Sequence, residues 1–442
     1  MVKARKFLWV AVMLLGMTSA ANAQAARDRH VVVISIDGFP AFSWNDPLLA
    51  VPTLRRLARE GAHAEAMMPV NPTVTWPNHT SMVTGVRPER HTVLYNGWAV
   101  RGAEGERLRT EAHVPKVDLV KGTTVYDLAH QAGLTTAEVD WVAIENAPTI
   151  TYAFTEYSNP DGAIEKEMIA TGVMTAEELV AFKKAPITFR DEIWTRAGEH
   201  IIKTHKPNLL LFHLLTTDSS QHRYGARSLG SDTALSHADA KVARLVEACR
   251  QAGILEKTTF VIVSDHGFRT VKRNIRANAL LKAKGLDGSA WVIPEGGTAM
   301  VYVTRAADKA KTVETLKGLF TGMEGVAKVL TPAEFTPLGY PTPDANPRMA
   351  DLVLAATEGF AFDGATEGEV VVDVPAGASP GSHGYLNSDP DMRAIFIASG
   401  VGIKAGAKLG VIENLSVAPT IARLLGLEMK DVTGKPLMEI LK

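Results

Sequence analysis

His30-Val31-Val32-Val33-Ile34-Ser35-Ile36, closed by Asp37-Gly38, is the stretch that decides the fold. A strand with one wet face alternates polar and apolar residues. This one is apolar at nearly every position and rich in β-branched residues, as a strand covered on both faces is. Three more stretches share its texture. Asn208–Leu215 ends shortly before Asp218, Thr258–Val263 ends at Asp265-His266-Gly267, and Arg393–Ala398 ends at Ser399-Gly400. Between them the apolar residues follow a helical period, over Pro52–Glu60, Thr124–Ala132, Thr188–Thr204, His237–Ala252 and Val417–Leu425. Strands alternating with helices predict an α/β fold: a doubly wound, mostly parallel sheet sandwiched by helices. Ligands of such sheets bind outside the carboxyl ends of the strands, so the acids and histidines found there are the first candidates for chemistry.

Between His266 and His383 glycine and proline become frequent, and short alternating runs such as Ala299–Val303 and Asp351–Leu354 appear. This texture predicts a smaller inserted subdomain around 274–375. A second insertion is expected around Glu145–Phe189. At the other end, Lys3, Arg5 and Lys6 precede an apolar run from Leu8 to Leu15 and then Ala21-Asn22-Ala23. That is the pattern of a secretory signal peptide over residues 1–23, cut before Gln24, with 24–442 as the mature catalytic domain. The expected location is therefore periplasmic or secreted. Cys249 is the only cysteine, so no intrachain disulfide can form; an exported chain without disulfides suits a bacterial periplasm. Its place in the pattern Val242, Leu245, Val246 predicts a packed, unreactive thiol. The net charge of −1 gives no global field to attract a nucleic-acid polymer, and no later stretch is long and apolar enough to span a bilayer. Two N-x-S/T sequons begin at Asn78 and Asn414.

Each strand-end group has a plain reading of its own. Asp37 could be a turn residue, Asp218 a helix cap with His222 on the surface, and His383 a loop histidine between Gly381-Ser382 and Gly384. If Asp218 and His222 lie on a helix, their i, i+4 spacing puts them on one face, where one ion can bridge them. Asp265-His266-Gly267, adjacent ligand types straight off a strand end, suits a metal site. Taken together, three aspartates and three histidines without a thiolate favour zinc over magnesium. In Asn71–Gly85, a Pro-punctuated loop turns helical from about Pro77, so Thr75 is expected just outside the helix N-terminus, either as its cap or as a hydroxyl presented to a bound anion. His79 reads as structural within that helix.

Thr75-Trp76-Pro77-Asn78-His79 with Val83-Thr84-Gly85, Asp218–Gly225, Ser264–Gly267 and Ser382–Tyr385 resemble, in order, the four blocks of the nucleotide pyrophosphatase/phosphodiesterase family. These are the type I phosphodiesterases of the alkaline phosphatase superfamily. The likeness runs from about His30 to the C-terminus. It implies an alkaline phosphatase-like fold and two divalent metal ions, expected to be zinc. One ion would be held by Asp37, Thr75, Asp265 and His266, the other by Asp218, His222 and His383. It further implies that Thr75 is the catalytic nucleophile, forming a phosphothreonine intermediate, and that Asn96 contacts a phosphate oxygen. Trp76 and His213 stand where the family has a phenylalanine and a tyrosine that bind substrate, which leaves a nucleotide or a lipid-headgroup diester as the expected small-molecule partner. A phosphomonoesterase or phosphonate hydrolase of the same superfamily is the alternative. Sulfatases are excluded because Cys249 lies far from the Thr75 segment. A catalytically silent metal- or nucleotide-binding protein would lack a ligand or the nucleophile, and here none is missing.

Overall fold

Alternate side chains of His30–Ile36 find cover on opposite sides. The computed structural model describes residues 28–157, 159–305, 307–375 and 380–442, so the expected signal peptide lies outside the described residues. In it, His30–Ile36 is strand β1, buried throughout. Val32, Ile34 and Ile36 enter one apolar core with helices α1 (Pro52–Glu60), α4 (Ala163–Ala170), α5 (Ile187–His205) and α7 (Leu229–Gln251). Val31 and Val33 enter the other, with α2 (Thr75–Thr84), α3 (Val125–Gln131) and α8 (Val417–Leu424). Each large aliphatic side chain so buried contributes roughly 1.5–3 kcal/mol before the entropy of ordering it is counted.

The remaining strands are β2 (Ala62–Met68), β3 (Thr136–Val139), β4 (Tyr152–Phe154), β5 (Leu209–Leu214), β6 (Thr258–Val263), β7 (Phe396–Gly400) and β8 (Ala407–Glu413). They lie side by side in the order β8-β2-β7-β6-β1-β5-β3-β4. The β1 pairs with β5 and β6 are parallel, as expected. The fourth predicted strand differs. β7 runs antiparallel to both β2 and β6, so the carboxyl edge of the sheet meets its start rather than its end. A strand buried on both faces carries no sign of its direction in its residue pattern.

Two other expectations shift. α7 begins at Leu229, eight residues before the predicted His237, because Ser228 caps it through Ser231 N–H. The segment around Glu145–Phe189, expected as a second insertion, supplies edge strand β4 to the central sheet together with α4. Within 274–375, strands Ala290–Glu295, Thr298–Val303, Leu352–Ala356 and Val326–Leu330 form an antiparallel sheet with Lys309–Phe320 packed against it. Its other apolar layer, including Tyr302 and Phe335, packs on Leu94, Tyr95 and Ala99, beside Asn96. Cys249 is buried in the α7 core, and burial pushes its thiol up to about 12.

Candidate metal centre and nucleophile

β1, β5 and β6 run the same way, so the residues that follow them converge on one edge. Asp37 follows β1 directly. After β5 the chain turns into α6 (Thr216–Tyr224), whose first N–H groups would be left unpaired. The buried Asp191 of α5 accepts from Leu215 N and Thr216 N at 3.0 and 3.1 Å, which fixes the start of α6. Asp218 and His222 then lie one turn apart, with Nε2 of the histidine 3.4 Å from the carboxylate. Asp265 and His266 follow β6. Asp265 Oδ1 accepts from Gly38 N at 3.0 Å, and Ser264 Oγ accepts from Phe39 N at 2.7 Å, so two strand ends brace each other.

His383 reaches the same edge from the far end of the chain. Gly381-Ser382 pairs with Arg269-Thr270, and the backbone must pass other chain closely on both sides. A Cβ on Gly381 would sit 2.1 Å from the carbonyl of Gln221. One on Gly384, at φ +82°, would sit 1.6 Å from that of Glu295. Only glycine fits either place.

The result is two triads. Asp37, Asp265 and His266 offer ligand atoms within 4.8 Å of one another, and so do Asp218, His222 and His383. The rings of His266 and His383 stack at 3.7 Å and 10°, which sets the triads side by side. All three imidazoles face the backbone with Nδ1: His222 toward Gly381 O at 3.0 Å, His383 toward Thr73 O and His266 toward Gly267 O, both at 3.1 Å. An Nδ1–H donated to a carbonyl leaves Nε2 as the lone-pair donor, the orientation a metal-binding histidine needs. Asp37 Oδ1, Asp265 Oδ2, His266 Nε2 and Asp218 Oδ1 are buried with no hydrogen-bond partner. Buried polar atoms are seldom left so, and four of them across the two triads suit residues that ligate cations.

The electrostatics agree. Burial, then Asp265 and Asp218, push Asp37 well above the usual carboxylate range. Burial also brings His266 down to about 4 and His383 well below its ordinary value. Against burial, Asp218 raises His222 to about 9, while His222, His383 and His266 hold Asp218 below the usual range. Crowded carboxylates beside two neutral imidazoles, with a third drawn to Asp218, form a site for divalent cations.

Thr75 is the first residue of α2, one position further in than expected, and Val74 is the cap. α2 is polar yet buried because its side chains bond backbone: Thr80 and Thr84 donate to Trp76 O and Thr80 O at 2.8 and 2.7 Å. His79 Nδ1 lies 2.9 Å from Thr75 O and 3.6 Å from Asp265 Oδ2, which ties the helix that carries Thr75 to the first triad. Thr73 O, two residues before Thr75, holds His383 of the second. Asn96 lies beside the start of α2: its Oδ1 accepts from Trp76 N at 2.8 Å, so that amide is engaged and the Asn96 side-chain NH₂ has no partner among the described residues. Trp76 lines a cavity of about 290 Å³ next to Thr75, together with Trp141, His113, Tyr157, Glu156 and Ile144.

Residues 31–386 match the model of the type I phosphodiesterase/nucleotide pyrophosphatase family. The chain belongs to that family. Ectonucleotide pyrophosphatase/phosphodiesterase family member 7 of Mus musculus is 23% identical over 422 residues, 94% of this chain and 87% of that protein. The Homo sapiens member 7 is 24% identical, covering 93% and 83%. The solved structure of murine ectonucleotide pyrophosphatase/phosphodiesterase 5 shares the fold with a TM-score of 0.72 at 18% identity, over 94% of this chain and 100% of that one. An inactive threonine-to-alanine variant of that murine protein has been solved in complex with AMP.

His213, expected to touch substrate at the position of the family's tyrosine, lies elsewhere. It is buried behind Asp37, with Nε2 3.0 Å from Asp37 Oδ2 and Nδ1 3.2 Å from Asp140 Oδ2. Both ring nitrogens face carboxylates inside the sheet, and the side chain is 1% exposed, so no open ring face is presented to a ligand. Its contact is with Asp37 instead. Behind it, burial pushes Asp140 up to about 7 and Glu138 up to about 8. Asn78, which the sequence marks as the start of a sequon, has a structural part beside the site. Its amide bonds Val70 N, Pro72 O and Val74 O at 2.8, 3.0 and 2.8 Å, which shapes the loop leading into Thr75. Asn414 donates to it at 2.9 Å, and both are buried, so neither sequon is open to a glycan.

Proposed function

We propose that this member of the family is an exported phosphodiesterase/nucleotide pyrophosphatase that hydrolyses small phosphate diesters through Thr75. The observation that carries the reading is the pair of side-by-side triads with unpaired donors at the foot of α2. Asp37, Asp265 and His266 with Thr75 would hold one zinc ion, and Asp218, His222 and His383 the other. Bound there, the ions would supply the charge that lowers the pKa of the threonine hydroxyl and neutralises the oxygens around phosphorus.

Thr75 Oγ attacks phosphorus, forming a threonine–phosphate ester as one substrate ester bond breaks and its alcohol departs. Water then displaces Thr75, which recovers its hydroxyl, and the monoester leaves. The N-terminus of α2 presents its positive dipole end to the transferring group. The Asn96 side-chain NH₂ donates to an equatorial oxygen, an effect worth about 2–4 kcal/mol in comparable sites. The group retained on phosphorus enters the Trp76-lined cavity. Among the described residues neither Lys nor Arg lines that cavity, which supports a diester over a monoester with its additional charge. AMP, bound by the inactive murine relative, is a monoester of the kind this hydrolysis would release, which supports a nucleotide diester as one substrate.

The test is hydrolysis of bis(p-nitrophenyl) phosphate against p-nitrophenyl phosphate by wild-type, Thr75→Ala and EDTA-treated protein. The reading expects preference for the diester, and loss of activity with either treatment. A monoester preference would overturn the substrate class, and full metal-dependent activity of Thr75→Ala the nucleophile.

A further inference from the structure

At the opposite edge of the sheet lies a third group of ligand-type side chains. α5 runs back against the strands and ends at His205, four residues before β5 begins at Leu209, while Tyr152 opens the parallel edge strand β4. Both mark the amino edge, so this group is separated from Asp37 and Asp265 by the length of the strands. Glu167 of α4 faces His200 and His205 of α5. Its Oε2 is 3.1 Å from His200 Nε2 and 2.7 Å from His205 Nε2, and one ligand atom from each of the three lies within 4.8 Å of the others.

Two features separate this trio from an ordinary surface ion pair. The His205 ring is stacked on Tyr152, centroids 4.0 Å apart and planes 22° apart, and the His200 side chain is 6% exposed, so both imidazoles are held by packing. Glu167 is 39% exposed, which leaves the group open on one side to solvent. Two fixed imidazoles and one carboxylate with an open fourth direction form the donor set that takes zinc tetrahedrally, with water completing it. Nitrogen donors disfavour calcium and magnesium.

We infer that Glu167, His200 and His205 bind a third divalent transition-metal ion of the zinc class. The ion ties α4 to the last turn of α5 beside the edge strand, and takes no part in catalysis. The competing account is a carboxylate hydrogen-bonded to two imidazoles with no ion.

The experiment equilibrates full-length protein with buffered free zinc and measures bound zinc per chain for wild type, Glu167→Gln and His205→Gln. The inference expects each variant to lose one ion relative to wild type, with diester hydrolysis unchanged. It also expects the melting temperature of wild type, but not of the variants, to rise further when zinc is added beyond the amount that saturates activity. Equal zinc content in all three proteins overturns it. Should the variants fail to fold, wild-type crystals soaked in zinc decide alone: an anomalous peak among Glu167 Oε2, His200 Nε2 and His205 Nε2 is expected, and its absence overturns the site.

Discussion

The two triads differ in how they meet solvent. Asp37, Asp265 and His266 have side chains 0% exposed, whereas Asp218, His222 and His383 are 14%, 36% and 11% exposed. The first is sealed against the helix that carries Thr75 and backed by the buried layer of His213, Asp140 and Glu138. The second stands at the rim, on α6 and on the glycine-flanked His383 loop. One half of the proposed centre is thus built to hold a nucleophile in place, and the other to meet a departing group and water.

The comparison breaks most readily by removing one ligand from each half. Asp37→Ala should release an ion that excess zinc does not restore, with kcat/KM falling by about 10³-fold or more. His222→Ala should cost about 10²-fold and recover when zinc is added in excess, because its half is open. Equal losses and equal rescue would show that the burial difference has no chemical meaning. Next in size is Asn96→Ala, which leaves both triads whole; kcat should drop about 10²-fold with zinc content unchanged by elemental analysis.

His213→Ala tests the layer behind the sealed half. Zinc affinity there should weaken by about 10–100-fold in a competition titration, while the open half keeps its affinity. A change in KM alone would return His213 to the substrate. The smallest effect concerns Glu138, whose buried carboxyl is raised from 4.5 to about 8. Between those values the folded state keeps a proton that the unfolded state has released, so stability falls as pH climbs from about 4.5 to about 8. Glu138→Gln retains an acceptor for Trp141 N and removes this dependence. Its melting temperature should match wild type near pH 5 and exceed it by about 1–3 °C at pH 8.

The central strands and the order of their terminal acids were legible because β1, β5 and β6 are apolar on both faces and end at ligand-type residues. Direction was not: Phe396–Gly400 looks like its parallel neighbours and runs against them. Nor were the outer strands. Ala62–Met68 has one partly wet face, and Thr136–Val139 contains a glutamate that tertiary packing buries. His213 shows the same limit at the site. In a run buried on both faces, period 2 cannot say which way a histidine points, and only the positions of Asp37 and Asp140 settle its role. Glu167, His200 and His205 carried no signal, since the histidines are five apart on one helix and their carboxylate comes from another.

The central claim, attack by Thr75, is tested most directly by the stereochemical course at phosphorus. A single diastereomer of a phosphorothioate diester is hydrolysed in heavy-oxygen water, and the configuration of the product is read. Displacement by Thr75 followed by displacement by water predicts net retention. Net inversion would mean that water attacks the substrate directly, and would contradict the account.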